Sequence, residues 1–561
     1  MARTSSKKKL TNAPAQPRSG KVLAICGGTL IDGTGRSPIE DAVILIEGDR
    51  IKAIGAKNEI VAPKGSIEID ARGKTLLPGF IDGHGHYEDF AGEIYLHLGV
   101  TTCPDIQTTR DDFWSMAQRD GIKLGKIRGP RIWSAGKAVG QTGDTSAMGG
   151  GRRGAMAVKS PAEGRELVRW KKKMGLDQIK VGESIHGETL KAVVDEAHSL
   201  GFSAIAHSLD VIESAEAGVN AVEHHWSIGL TSVMDPEKKA KLIADRWHGR
   251  LDTEEMTFYY ETESFDRIIE TMVKNNVSWS PTIATWFRPL SPSAARFKRR
   301  ELSILNNPQA RYLPEVLRAI TLAPYDKYRK WPAEKLDRIK QGYEKVQEFI
   351  RRFVRAGGLV RAGSDPNHGM PALDIHEEVT MFVDAGLTPM QAIQAATTNV
   401  AKTFGKDRDF GTVETGKVAD IIIVEGNPLK DSWATQNVKR VISAGKIIDH
   451  NFHAGYKNPI PSPEPWRNIA REIEITPRSI PQDGRPTVMT VKATAGRVAR
   501  WHKIAIDGKV LETRFVSSTE LQAKIPPQAI KRAGTYPVTV VSPRESGGRS
   551  NPAHLIVTFA R

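Results

Sequence analysis

Leu76-Leu77-Pro78-Gly79-Phe80-Ile81-Asp82-Gly83-His84-Gly85-His86 is an apolar run that ends in two histidines one glycine apart. Side chains of an extended strand alternate between faces, so this spacing aims His84 and His86 the same way, where both can grip one metal ion. Gly83 and Gly85 then leave room for the ion, and Asp82 on the same face can hold an imidazole tautomer from behind. The ordinary alternative for a bare His-x-His is a surface pair at a strand end.

Downstream, short apolar runs alternate with helical stretches, the pattern of βα units around a parallel sheet. Eight strands are expected, over residues 79–86, 100–106, 131–135, 178–181, 203–207, 221–224, 277–282 and 359–364. That number predicts an α/β chain folded as a (β/α)8 TIM barrel, with its active site at the C-terminal ends of the strands. Polar residues stand at those ends: Lys180 in Gln-Ile-Lys-Val, His207 closing Ala-Ile-Ala-His, His224 closing Ala-Val-Glu-His, and Asp365 after Ala-Gly-Ser. Each has a bland alternative: a snorkelling lysine, two satisfied core histidines, and a helix cap. Their joint recurrence beside His84 and His86 argues for one metal-binding constellation.

The flanks read differently. Short alternating strands within 21–78 return within 408–450, which predicts a small discontinuous β domain built from both sides of a barrel spanning 79–407. Residues 1–20 read as a flexible basic tail and 451–472 as a proline-rich linker. Residues 473–561 carry short strands with turn punctuation, the spacing of an Ig-like β-sandwich.

At 561 residues the chain exceeds one ordinary domain, and 39% hydrophobic with 26% charged residues is a globular balance. The net charge of +15 is spread over patches such as Arg169 to Lys173 and Lys298 to Arg300, so it reads as solvated surface; neither nucleic acid nor membrane is expected as a partner, while a homo-oligomer stays open. Two cysteines, Cys26 and Cys103, give no disulfide framework and are expected to be buried small residues. The first twenty residues lack an apolar signal segment, which points to the cytoplasm, or to the periplasm or exterior if the N-terminus is a processed one.

The motifs Leu-Pro-Gly-Phe-Ile-Asp-Gly-His-Gly-His, Gln-Ile-Lys-Val, Ala-His-Ser, Ala-Gly-Val-Asn-Ala-Val-Glu-His, Ala-Gly-Ser-Asp and Glu-Thr-Gly-Lys-Val-Ala-Asp-Ile together resemble the amidohydrolase superfamily, in its imidazolonepropionase-like and prolidase-like group. The resemblance implies two divalent metal ions, zinc first, with His84, His86 and Asp365 on the buried one, His207 and His224 on the more exposed one, and a carboxylated Lys180 bridging them. It implies hydrolysis by a hydroxide bridging the metals, with Asp365 as the catalytic proton carrier. Within 473–561, Ile475-Thr476-Pro477, Gly534 to Val540 and Ser550-Asn551-Pro552 resemble an IPT/TIG domain.

Two departures from the family pattern bear on substrate. The usual Gly-Gly-His-Gly loop is replaced by Gln141 to Arg152, and the glycine expected after His224 is His225, so ligation falls to His224 by motif alignment. Arg152, Arg153, His225, Tyr259 and Trp286 are the substrate-binding candidates, with loops over 227–276 and 286–355 covering the barrel mouth. The expected activity is cleavage of an amide bond in a small dipeptide, Xaa-Pro-like or N-acyl amino acid substrate. The runner-up opens a cyclic amide or lactone, and a catalytically inactive binding protein is the alternative of another class.

Overall fold

The computed structural model describes residues 22–108, 112–141, 156–247, 250–462, 472–482, 485, 487–495, 498, 502–530, 532–541, 550 and 553–558. The expected tail at 1–20 and the candidates Arg152 and Arg153 lie outside them.

Five strands come first: β1 (Leu23–Leu30), β2 (Ile39–Glu47), β3 (Arg50–Ala56), β4 (Ile67–Asp70) and β5 (Lys74–Pro78). The apolar run from Leu76 to His86 is not one strand. It breaks at Gly79, whose N–H donates to the Asp420 carbonyl at 2.9 Å and whose Cβ, if present, would stand 2.4 Å from Thr101 Oγ1. Lys74–Pro78 therefore stays in the flanking sheet, and only Phe80–Ile81 enters the parallel sheet as β6.

The remaining parallel strands are β7 (Val100–Asp105), β8 (Arg131–Ser134), β9 (Val139–Gln141), β10 (Met156–Val158), β11 (Ile179–Val181), β12 (Ala204–Ala206), β13 (Ala221–Glu223) and β14 (Ser278–Ser280). They form two arcs, β6-β7-β8 and β10-β9-β11-β12-β13-β14, and not the single closed sheet that was expected. The eighth expected strand, 359–364, makes only one bridge, from Val360 to Trp279. Side-chain carboxylates take the place of its ladder: Gly363 N–H donates to Glu378 at 2.6 Å and Ser364 N–H to Asp82 at 2.9 Å. The segment still spans the gap between the arcs, because Arg361 N–H reaches the Trp279 carbonyl and Gly83 N–H the Ala362 carbonyl, both at 2.7 Å.

The stretches 227–276 and 286–355 are mostly helix and not loop. The first holds most of His225–Ser232, with Pro236–Trp247 and Phe265–Lys274; the second holds Ala294–Leu305, Glu315–Lys330 and Ala333–Arg355. In the last of these, Ile339, Tyr343, Val346, Ile350 and Phe353 are buried at three- and four-residue spacing, the stripe that seats a helix on a core.

The chain then returns to the flanking sheet through β15 (Ile421–Glu425), β16 (Val438–Ser443) and β17 (Lys446–Ile448). β15 pairs antiparallel with β5, from Ile421 opposite Pro78 to Glu425 opposite Lys74, so the two halves form one sheet in the order β17-β16-β15-β5-β1-β2-β3, with β4 on β1. The expected proline-rich linker begins as a strap on the parallel core. Asn458 donates to Gln118 at 2.7 Å, Gln118 to the Ile460 carbonyl at 2.6 Å, and Ser462 N–H to Asp89 at 2.9 Å.

Among the described residues nine strands follow: β18 (Glu472–Thr476), β19 (Ser479–Pro481), β20 (Thr487–Ala495), β21 (Lys503–Ile506), β22 (Lys509–Val510), β23 (Thr513–Ser517), β24 (Glu520–Ile525), β25 (Gly534–Val541) and β26 (Ala553–Thr558). They build two sheets, β18-β20-β24-β23 and β19-β26-β25-β21-β22, around an apolar core of their own that includes Met489, Leu521, Ile504, Val538 and Leu555. The neighbouring strands β22 and β23 go to different sheets. Cys103 is buried as expected, whereas Cys26 is only half-buried; both are free thiols. Among the described residues no helix is long and apolar enough to cross a membrane.

Candidate metal centre

The strand ends bring six side chains together. His84, His86 and Asp365 offer ligand atoms that lie within 4.8 Å of one another, as do His84, His207 and His224, so His84 belongs to both groups. Asp365 Oδ1 stands 3.7 Å from His86 Nε2 and 4.0 Å from His84 Nε2, while its Oδ2 is 4.0 Å from His224 Nδ1. The sixth, Lys180 on β11, is buried.

Hydrogen bonds behind the rings fix which nitrogen faces inward. A carbonyl only accepts, so the 2.7 Å contact between His86 Nδ1 and the Gln107 carbonyl places a proton on Nδ1 and turns Nε2 toward Asp365. His84 Nδ1 is bound by the Glu223 carboxylate in the same sense, and its Nε2 is buried without a hydrogen-bond partner. Thr282 spends its own proton on the Pro281 carbonyl at 2.8 Å, so its Oγ1 accepts from His224 Nδ1 at 2.8 Å and the His224 Nε2 lone pair turns to His207. The two Nε2 atoms are 3.0 Å apart, a distance at which imidazole nitrogens are joined by a shared proton or by a common cation.

Asp82 does not carry the role expected of it. Its oxygens accept from the His84 and Ser364 backbone N–H groups at 3.1 and 2.9 Å and from the Tyr95 hydroxyl at 2.9 Å, so it pins the backbone of the turn and touches no imidazole. Glu223 holds the His84 ring instead, and is itself held by Arg361 Nη2 at 2.7 Å. Gly83 and Gly85 are demanded by neighbouring chain and not by an ion: a Cβ would lie 2.5 Å from the Ala362 carbonyl oxygen at the first and 2.4 Å from Cys103 Sγ at the second. His84 follows β6 in a turn, and Gly85 between the histidines rejoins β7 through a parallel bridge to Asp105, so the two rings flank one bridged residue.

Electrostatics favour neutral nitrogen donors. Burial first, then neighbouring cations and rings, push His84 and His224 well below the usual imidazole range. Burial likewise lowers the Lys180 ammonium to about 8, against the pull of Glu223 upward, and Lys180 Nζ has no hydrogen-bond partner. The backbone carries strain at the same place: His224, Thr282 and Asp365 have φ of +66°, +50° and +34°, the left-handed region that non-glycine residues rarely occupy. Orphaned inward atoms on His84 and Lys180, four imidazoles and a carboxylate form a donor set that fits divalent cations.

Of the substrate candidates, Trp286 lies edge-on to His224 and His225, with centroids 5.3 and 5.0 Å away. His225 turns away from the cluster, its Nδ1 2.7 Å from the Tyr260 hydroxyl, and burial lowers it to about 3. Tyr259 packs half-buried against the main apolar core, so the tyrosine near the centre is its neighbour Tyr260. The sequence reading missed Glu223 and Arg361. The available signal was a charged residue inside the apolar run Ala-Val-Glu, which a strand without a solvent face tolerates only with a partner.

The profile of the amidohydrolase family matches residues 75–448. The chain belongs to the amidohydrolase family. Among its relatives is the ochratoxinase of Aspergillus niger, 24% identical over 523 residues that cover 82% of this chain and 91% of that enzyme. Two solved structures share the fold: a candidate prolidase from Bifidobacterium longum (TM-score 0.55, 22% identity, 78% of this chain and 97% of that one) and a Xaa-Pro dipeptidase (TM-score 0.53, 23% identity, 76% and 100%). The histidine–aspartate cluster of this amidohydrolase can hold metal.

Proposed function

We propose that this amidohydrolase cleaves the amide bond of a small dipeptide or N-acyl amino acid with two divalent metal ions, zinc first, held by His84, His86, His207, His224, Asp365 and a carboxylated Lys180. The single observation that carries the reading is the inward convergence of these side chains around the unpartnered Lys180 Nζ and His84 Nε2. Bound cations would polarise the scissile carbonyl and acidify the attacking water.

The chain's own residues do the rest. Lys180, its ammonium weakened by burial, reaches the neutral amine that carbon dioxide requires, and carboxylation turns a repelling cation into an anionic bridge. Asp365 takes the proton from water as the new C–O bond forms and delivers it to the leaving nitrogen as the C–N bond breaks. Glu223 and Thr282 keep the His84 and His224 rings in the tautomers that present Nε2. Trp226 and Trp286, packed against His224, shield that side from bulk water.

The prolidase and dipeptidase names among the fold neighbours support a peptide-like amide. We read the C-terminal two-sheet unit as an IPT/TIG-like module for binding or spacing. The test of activity is turnover of dipeptide, N-acyl amino acid, lactone and cyclic amide panels by chelated and by zinc-reconstituted protein. Metal-dependent release of an amine from the first two classes is expected; turnover confined to lactones or cyclic amides, or none, would overturn the reading.

A further inference from the structure

The helix Pro236–Trp247 belongs to the excursion between β13 and β14, and its last turn sets one cation beside the candidate metal centre. Arg246 Cζ lies 4.0 Å over the ring of Trp226. That ring stacks on His224, with centroids 5.4 Å apart and planes 25° from parallel, and meets His207 edge-on at 5.9 Å. Arg246 Nη1 is 3.7 Å from Glu183 Oε1, which in turn is 4.0 Å from His207 Nδ1. The side chain is 13% exposed.

The placement has a chemical sense. A positive charge this close to the centre suits a substrate that brings an anion. A planar guanidinium stacked on tryptophan is held in one orientation, and its fork matches the two oxygens of a carboxylate. A cavity of about 220 Å³ shares Glu183 and His207 with this wall and is lined further by Asp210, Glu213 and Lys239.

We propose that Arg246 is the specificity-determining residue of the site and reads a free carboxylate on the substrate, so that the enzyme prefers amides whose amine portion is an amino acid over the same amides with that carboxylate blocked. This rests on the amidase reading above. The competing role for Arg246 is mechanical, fastening the helix Pro236–Trp247 to Glu183.

The test uses the full-length, metal-loaded protein, with glycyl-L-phenylalanine against glycyl-L-phenylalaninamide and N-acetyl-L-phenylalanine against its α-amide. Wild type is expected to favour the acids at least about tenfold in kcat/KM, and Arg246→Met to shrink that ratio to about twofold, mainly through KM; Arg246→Lys should lie between. Parallel losses on acid and amide, with the ratio unchanged, would overturn the proposal in favour of the mechanical role. Binding of L-phenylalanine and L-phenylalaninamide, followed by tryptophan fluorescence, gives a readout independent of turnover. Arg246-dependent preference for the acid without hydrolysis would uphold the inference while the amidase reading fails. Equal binding of acid and amide by the wild type would sink the inference itself.

Discussion

The Glu223 carboxylate holds His84 Nδ1 with one oxygen and Arg361 Nη2 with the other, the latter at 2.7 Å, all three side chains being buried. Arg361 also donates to the Gly83 carbonyl at 2.6 Å, so this relay fixes both the ring and the backbone of the His84 turn. Glu223→Gln keeps the shape, can accept from only one partner through its oxygen, and turns N–H toward the other. Metal affinity is expected to fall about 10- to 100-fold with the fold retained, measured by competition with a chelating dye. An unchanged affinity would remove Glu223 from the account.

Lys180 offers a sharper contrast. As a bridge it is indispensable, whereas an ordinary lysine at a strand end would cost within about 0.5 kcal/mol and no activity. Lys180→Ala is expected to lose metal and turnover together, and acetate or propionate is expected to restore part of both by occupying the vacated space. The same acids should do nothing for His84→Ala. Wild-type-like turnover of Lys180→Ala without added acid would end the bridge assignment.

Two truncations separate module from strap. Removing 473–561 takes away strands with their own core and should leave turnover within about twofold, since independently cored units fold alone. Ending the chain at 449 also strips His453 from the buried Glu93, which then keeps Arg128, and deletes the Asn458 and Ile460 contacts to Gln118. Leaving such buried groups short of partners costs about 1–3 kcal/mol each, so a clear drop in Tm is expected for the second truncation only. Equal Tm for both would show the strap to be dispensable.

A pH effect follows from the buried cluster of Glu301, Asp374 and Glu377 around Arg288. Burial raises all three carboxyls against the opposing pull of Arg288. Acids whose folded pKa exceeds the unfolded one bind protons more tightly when folded, so their contribution to stability is present at low pH and lost as pH rises through the folded values. Glu377→Gln removes one such acid and is expected to flatten the decline of Tm between about pH 4 and pH 8. A profile as steep as that of wild type would contradict this.

Much of this arrangement was legible because apolar runs closing on polar residues announce parallel strands and their catalytic ends. Lys180, His207, His224 and Asp365 were visible in that way, and the paired flanks could be read from Asp420 to Val424 repeating the pattern before Leu76. What was hidden depends on partners distant in sequence. Nothing near Asp82 says that it will bind backbone, and nothing near Glu223 says that Arg361 will neutralise it, 138 positions on. The same holds for the eighth strand, whose ladder is replaced by Glu378 from the following helix, and for the excursions, whose helical stripes were present in Ile339, Tyr343, Val346 and Ile350 but were read as loop.

The central claim is a two-metal centre on one histidine–aspartate cluster, and metal content counts it directly. Elemental analysis of zinc-reconstituted, gel-filtered protein is expected to find close to two ions per chain in the wild type, and a marked loss in His84→Ala and His86→Ala at unchanged secondary structure. Wild-type protein that retains no divalent ion after reconstitution, or that hydrolyses its substrate undiminished in excess chelator, would contradict the account.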